Sequence, residues 1–375
     1  MKSKIIGLFT VISLMAMLLA GCNNNEEYKI GIIAPLSGGA SIYGISTRDG
    51  ALLAFEEINA ANGVLGLPIK AVVYDCRNDP VEALNAYNRL VNNDKVVAFV
   101  GPTTSGTSSA VGDVARIERI PMILPSATAE IVTTFGDYVF RATFMNSYQG
   151  KAMAAFANEE LKSVTAAILY DSAGEYSTTL AEHFKTAFES LGGTVLAYEA
   201  YTTGNVDFRT QLTNIKSINP DVLFLPDYYN VIALLASQAK AIGVESTLLG
   251  GDGWEGVLTA VDNPSILEGA FYASHFDTSD PNPTVQSFIQ NYEKHFGSIP
   301  DSFAALSYDA ALIMAAAIET SGSTDNEAVI EALKNTDFQG VTGRITFDKD
   351  GNSVKDIAVI TFENQKPRLY MRFEP

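Results

Sequence analysis

The tightest constraint on this chain is an alternation of short apolar runs with amphipathic stretches, which restarts part-way along. Residues 29–35 (KIGIIAP) read as a buried strand, and 47–61 carry apolar residues at helical spacing that stop near Gly63. Residues 69–74 form the next strand; Asp79-Pro80 then supplies an N-cap and a first-turn proline for a helix to about Asn93. A strand at 96–100, a helix at 105–118 and a short strand at 121–124 follow. Runs that are apolar throughout are buried on both faces, the state of a parallel strand between two helical layers.

The rhythm begins again with a helix at 149–161, a strand at 165–170, a helix at 176–191 and a strand at 194–201. Segments 208–217, 221–225, 229–242 and 247–249 continue it. A chain of 375 residues has room for about two domains. The expected fold class is therefore α/β, with two doubly wound parallel-sheet lobes. In such sheets ligands bind outside the carboxyl ends of the strands. The residues after Val100, Leu124, Tyr170, Leu225 and Leu249 are the places to search.

The first residues set the compartment. Lys2 and Lys4 precede an uncharged run from Ile5 to Ala20, too short to span a membrane as a helix and suited to a signal peptide. The run ends in Leu19-Ala20-Gly21-Cys22, which resembles a bacterial lipobox. That resemblance implies a signal peptide at 1–21, cleavage before Cys22 and lipid on its thiol and new amino terminus. More than one acyl chain gives stable anchoring. The polar stretch to residue 27 would be a tether holding an exported protein at a bacterial membrane, on the cell-surface or periplasmic side.

The formal net charge is −18, which argues against a nucleic-acid partner. With Cys22 assigned to lipid, Cys76 has no internal partner, so no intrachain disulfide is expected. His183, His275 and His295 stand outside the candidate strand-end turns and outside any zinc-binding spacing, so neither a metal site nor a cofactor is expected. Absence of a nucleophile elbow or a phosphate-binding loop argues against an enzyme.

Two strand-end turns of the first lobe are rich in hydroxyls: Gly101 to Ser109 (GPTTSGTSS) and Pro125 to Ala129 (PSATA). Each opens a helix, where free N–H groups and the dipole suit an anion, although each could also be no more than an N-cap. The second lobe offers Asp171 to Tyr176, Pro226-Asp227-Tyr228-Tyr229 and Gly250-Gly251-Asp252-Gly253-Trp254. A carboxylate beside aromatic rings can accept an ammonium against an apolar wall. Hydroxyls facing a carboxylate would fit a small zwitterion, an amino acid.

Several motifs carry a resemblance over 28–375. They are Ile32 to Gly38 (IIAPLSG) with Tyr43-Gly44, Asn59 to Gly66 (NAANGVLG), Tyr74-Asp75 with Asp79-Pro80, Gly250 to Trp254 (GGDGW) and Ser307-Tyr308-Asp309-Ala310. In order and spacing the chain resembles type I periplasmic binding proteins of the Leu/Ile/Val-binding group. The resemblance implies lobe 1 at 28–141 plus 276–347, lobe 2 at 142–275 plus 348–375, and hinge crossings near Arg141, His275 and 347–351. It implies that Ser105 and Thr128, with the backbone of Ser126, bind the ligand's α-carboxylate and that Asp252 meets its ammonium. Tyr176 and Tyr228 would reach in from lobe 2, while Tyr43, Trp254 and Phe303 would wall the side-chain pocket. Asn78 and Thr104 stand where relatives carry a cysteine pair, which puts that disulfide in doubt and leaves the site untouched.

The function this implies is capture of an amino acid, branched-chain or otherwise neutral, by a monomeric solute-binding lipoprotein, which delivers it to the permease and ATPase subunits of an ABC importer. A ligand-sensing receptor of the same fold is the alternative, as is a binder of a small amide, urea or an aromatic acid. No sequence feature separates sensor from importer.

Overall fold

The computed structural model describes residues 26–373; the expected signal peptide and Cys22 lie outside the described residues. Strands β1 (Tyr28–Ala34), β2 (Ile69–Asp75), β3 (Ala98–Val100), β4 (Met122–Leu124) and β5 (Val139–Arg141) form one parallel sheet in the order β2-β1-β3-β4-β5. The helices interleaved with them are α1 (Ser41–Ala60), α2 (Pro80–Arg89) and α3 (Ser105–Ala115). As the Asp-Pro pair predicts, the Asp79 carboxylate caps α2 by accepting from Val81 and Glu82 N–H. Helix α1 begins six residues earlier than its apolar pattern, because Ser41 to Ser46 offer no helical stripe to read. Gly44 in that first turn passes so close to Pro35 that a Cβ would lie 2.1 Å from the Pro35 carbonyl oxygen. Strand β5, whose three residues follow a 3-10 turn, was not expected.

The second sheet has the order β14-β13-β10-β9-β8-β6-β7. Its parallel part comprises β6 (Thr165–Asp171), β7 (Thr194–Tyr201), β8 (Val222–Leu225), β9 (Thr247–Gly250) and β10 (Phe271–Ser274). The remaining pair, β13 (Ile357–Glu363) and β14 (Lys366–Phe373), runs antiparallel on β10, so this lobe is mixed rather than wholly parallel. Its helices are α4 (Asn146–Ala155), α5 (Glu175–Ser190), α6 (Arg209–Ile218) and α7 (Tyr229–Ile242). Two buried clusters, one around Phe208, Leu212 and Ile232 and the other around Phe184, Phe188 and Phe224, cover the sheet's two faces.

After β10 the chain returns to the first sheet. Helices α8 (Pro283–Phe296), α9 (Ser302–Ser321) and α10 (Asn326–Lys334), with the hairpin β11 (Asp337–Gly340) and β12 (Gly343–Thr346), pack there. The segment after β12 stays with the first sheet longer than the expected crossing at 347–351. Phe347 packs on Phe140, and Arg141 N–H donates to the Gly351 carbonyl at 2.9 Å. Residues 353–356 make the passage to β13.

Candidate ligand-binding site

The carboxyl ends of both parallel sheets face each other across the interlobe cleft, and the lobes are closed. Tyr43 of α1 inserts into the second lobe's buried cluster, where its hydroxyl donates to the Gly253 carbonyl and accepts the Tyr229 N–H at 3.0 Å. Its ring stacks on Phe303, 4.1 Å between centroids. Burial pushes the Tyr43 and Tyr176 hydroxyls well above the ordinary tyrosine range, so both act as neutral donors.

Between the lobes lies a narrow cleft, with about 10 Å³ of space for water, lined by Thr103, Thr104, Ser105, Ser126, Tyr176, Tyr228, Asp252, Gly253 and Phe303. Six of the nine expected site residues are thus brought together. Thr103, Thr104 and Gly253 join them, each within two residues of an expected one. The first-lobe wall is tied internally: Ser126 Oγ donates to the Thr103 carbonyl at 2.8 Å, and Ser105 Oγ accepts the Ala129 N–H at 3.2 Å. Thr104, the N-cap of α3, makes no side-chain bond to a backbone N–H of the helix's first turn; its hydroxyl donates to Asn78 Oδ1 at 2.7 Å and lies 2.8 Å from Thr107 Oγ1. A hydrogen bond therefore joins the two positions where relatives were expected to carry cysteines. Thr128 is buried, and its hydroxyl has no partner among the described residues. Arg141, wholly buried, holds the Thr128 loop by donating to the Thr128 carbonyl at 2.9 Å and to Thr133 Oγ1 at 3.2 Å. Burial lowers its guanidinium to about 10, so it stays charged at neutral pH.

On the second-lobe wall, Asp252 follows β9 in a short 3-10 turn, Asp252–Trp254. Its carboxylate accepts from the Tyr176 hydroxyl at 2.9 Å, Gln149 Nε2 at 3.1 Å and His275 Nε2 at 3.2 Å. Its backbone N–H donates to Gln149 Oε1 at 2.6 Å. A carboxylate offers about four acceptor positions, so room for one further donor remains. Burial lowers the His275 pKa below the ordinary histidine value, so this contact is a hydrogen bond from a neutral ring. Gln149 and His275 were missed as site residues. His275 stands immediately after β10, a strand-end turn that went unread because FYAS is short and holds one aliphatic residue.

The expectation that Trp254 and Tyr43 wall the pocket is corrected. Trp254 is fully buried behind the site, and its Nε1 donates to the Leu225 carbonyl at 2.8 Å. In a 3-10 turn side chains two apart point in different directions, so Asp252 faces the cavity and Trp254 the core. Tyr43 supports Phe303 and Gly253 from behind rather than lining the cavity.

The pattern of the periplasmic binding protein family matches residues 27–366. The chain belongs to that family. Among its relatives is the leucine-, isoleucine-, valine-, threonine- and alanine-binding protein of Pseudomonas aeruginosa, 31% identical over 87% of each chain. The leucine-binding protein LivK of Thermotoga maritima has a TM-score of 0.88 and 32% identity, covering 93% of this chain and 99% of its own. The Streptococcus pneumoniae branched-chain amino acid transporter substrate-binding protein LivJ, solved with isoleucine, has a TM-score of 0.88 and 32% identity; 93% of this chain and 100% of that one are covered. As a periplasmic binding protein, the chain has its cavity where the fold's parallel strands end, between lobes that it enters more than once.

Proposed function

We propose that this protein is the extracytoplasmic solute-binding lipoprotein of an ABC importer, and that it captures a neutral, branched-chain amino acid between its lobes. One observation carries the reading: the narrow interlobe cleft has hydroxyls on its first-lobe wall and a buried carboxylate, Asp252, on the other. The uncapped first turn of α3, the Ser105 hydroxyl, the Ser126 backbone N–H and, beside the lining, the unpartnered Thr128 hydroxyl supply donors for an α-carboxylate. Asp252 supplies the remaining acceptor position for an ammonium, and Phe303 with the stacked pair Tyr176–Tyr228 supplies apolar surface. The names of the relatives support the same ligand class. Capture needs no bond-making, only a closed form favoured by contacts to both lobes. Lipid at Cys22 would keep the protein beside its permease.

Calorimetric titration with the twenty amino acids, small amides, urea and aromatic acids tests the proposal. Leucine, isoleucine or valine should bind most tightly and charged amino acids not at all. Preferential binding of an amide or an aromatic acid would overturn the ligand class. Mass spectrometry of the membrane fraction should show a diacylated or triacylated Cys22; an intact leader would overturn the anchor.

A further inference from the structure

All three interlobe passages meet behind the cavity, at His275. The ring is almost wholly buried, with Nε2 3.2 Å from Asp252 Oδ2. From the first passage, Phe144 stacks on it at 3.8 Å between centroids, and the Thr143 hydroxyl lies 3.2 Å from Nε2 and 3.4 Å from Nδ1. From the third, Ser353 Oγ donates to the Thr143 carbonyl at 3.0 Å and Lys355 Nζ to the Ala142 carbonyl at 3.2 Å. Lys355 also donates to the Thr342 hydroxyl, which is in turn bonded to Asp309. The ring's orientation is therefore fixed from every side. Because a carboxylate only accepts, Nε2 carries the proton that faces Asp252.

His275 also lines a second cavity, on the side of the hinge away from the ligand, with Asp277, Thr342, Arg344, Lys355 and Arg372. That cavity reaches His275 without passing through the ligand cleft, with which it shares no lining residue. We propose that His275 positions Asp252 for the ligand's ammonium, and that protonation of His275 through this rear cavity expels the ligand. The inference rests on Asp252 being the ammonium acceptor. A neutral imidazole leaves the Asp252 charge available to the ligand. An imidazolium at the same distance neutralises that charge and repels the ammonium.

The groups facing the ring set the direction. Burial and the Lys355 charge keep His275 neutral, and Asp252 opposes them. Asp309 and Asp356 act on the ring only through Lys355, whose own charge they favour. Asp277 lies two residues beyond it, and Glu255 reaches Ser274 on the other side. A bound ammonium disfavours the imidazolium further, so binding releases a proton and affinity falls as pH drops through the His275 transition. The buried carboxyls of Asp227 and Glu255, both pushed up to about 7, titrate in wild type and variant alike.

The test is calorimetry with l-leucine from pH 5 to pH 8 on the wild type and on His275→Gln, whose amide still donates to Asp252 but does not titrate. Wild-type affinity should be level near pH 8 and fall by up to about tenfold per pH unit below the transition. His275→Gln, with each affinity taken relative to its own value at pH 8, should lack that fall. Equal falls in both proteins overturn the proposal and leave the amino-acid reading standing; no leucine binding by the wild type at pH 8 overturns that reading. NMR titration of the His275 ring in the wild type decides the matter should the variant fail to fold. Saturating leucine must lower the ring's pKa, and an unchanged value overturns the proposal.

Discussion

Asp252 draws its importance from what surrounds it rather than from its own residue type. Tyr176, Gln149 and His275 converge on one buried carboxylate, which fixes its rotamer before any ligand arrives. Replacing it with alanine leaves an ammonium in the cleft unpaired, and calorimetry should show leucine binding weakened by roughly 2–5 kcal/mol. Tyr43→Phe removes one hydroxyl that bridges the Gly253 carbonyl and the Tyr229 N–H across the lobes. Its loss should weaken binding by about 1 kcal/mol, since the closed form loses both bonds while the open form loses neither. At this scale much was legible. Ser105, Ser126, Tyr176, Tyr228, Asp252 and Phe303 all line the cavity. Trp254 was misplaced because proximity along the chain says nothing about which way a side chain turns.

Among the elements, the turn after β9 shows why small residues flank the carboxylate. A Cβ on Gly251 would lie 2.6 Å from Gln149 Oε1, Leu180 Cδ2 and the Tyr176 hydroxyl. Gly251→Ala must therefore displace the groups that hold Asp252. A thermal melt should show a loss of roughly 1–3 kcal/mol of stability, and leucine affinity should fall with it. Apolar runs and caps made most strands and helices readable in advance, since burial on both faces leaves a dense signal. The short β5 and β10 were not read: three or four residues carry too little pattern, and their partners come from distant segments. Missing β10 is what hid His275.

For the whole molecule, closure is the functional event. Small-angle scattering should show the radius of gyration falling when leucine is added, and Asp252→Ala should abolish that change at the same leucine concentration. Buried acids also make stability depend on pH. Burial raises the Asp227 carboxyl to about 7, against about 3.9 for an unfolded aspartate. Its contribution is complete below the unfolded value and is lost as pH rises through the folded one. The melting temperature should therefore decline between pH 5 and 8, and Asp227→Asn should make the decline shallower. Periodicity, turn chemistry and the ordered motifs determined by themselves that this chain builds two α/β lobes with hydroxyls and a carboxylate at their strand ends. Those properties reside in local patterns of burial and capping. Only the tertiary structure decided which residues face the cavity, where the third passage leaves the first lobe, and that Asp252, His275 and Lys355 share one buried network. Those are contacts between segments 23 to 213 residues apart, and no local pattern encodes them.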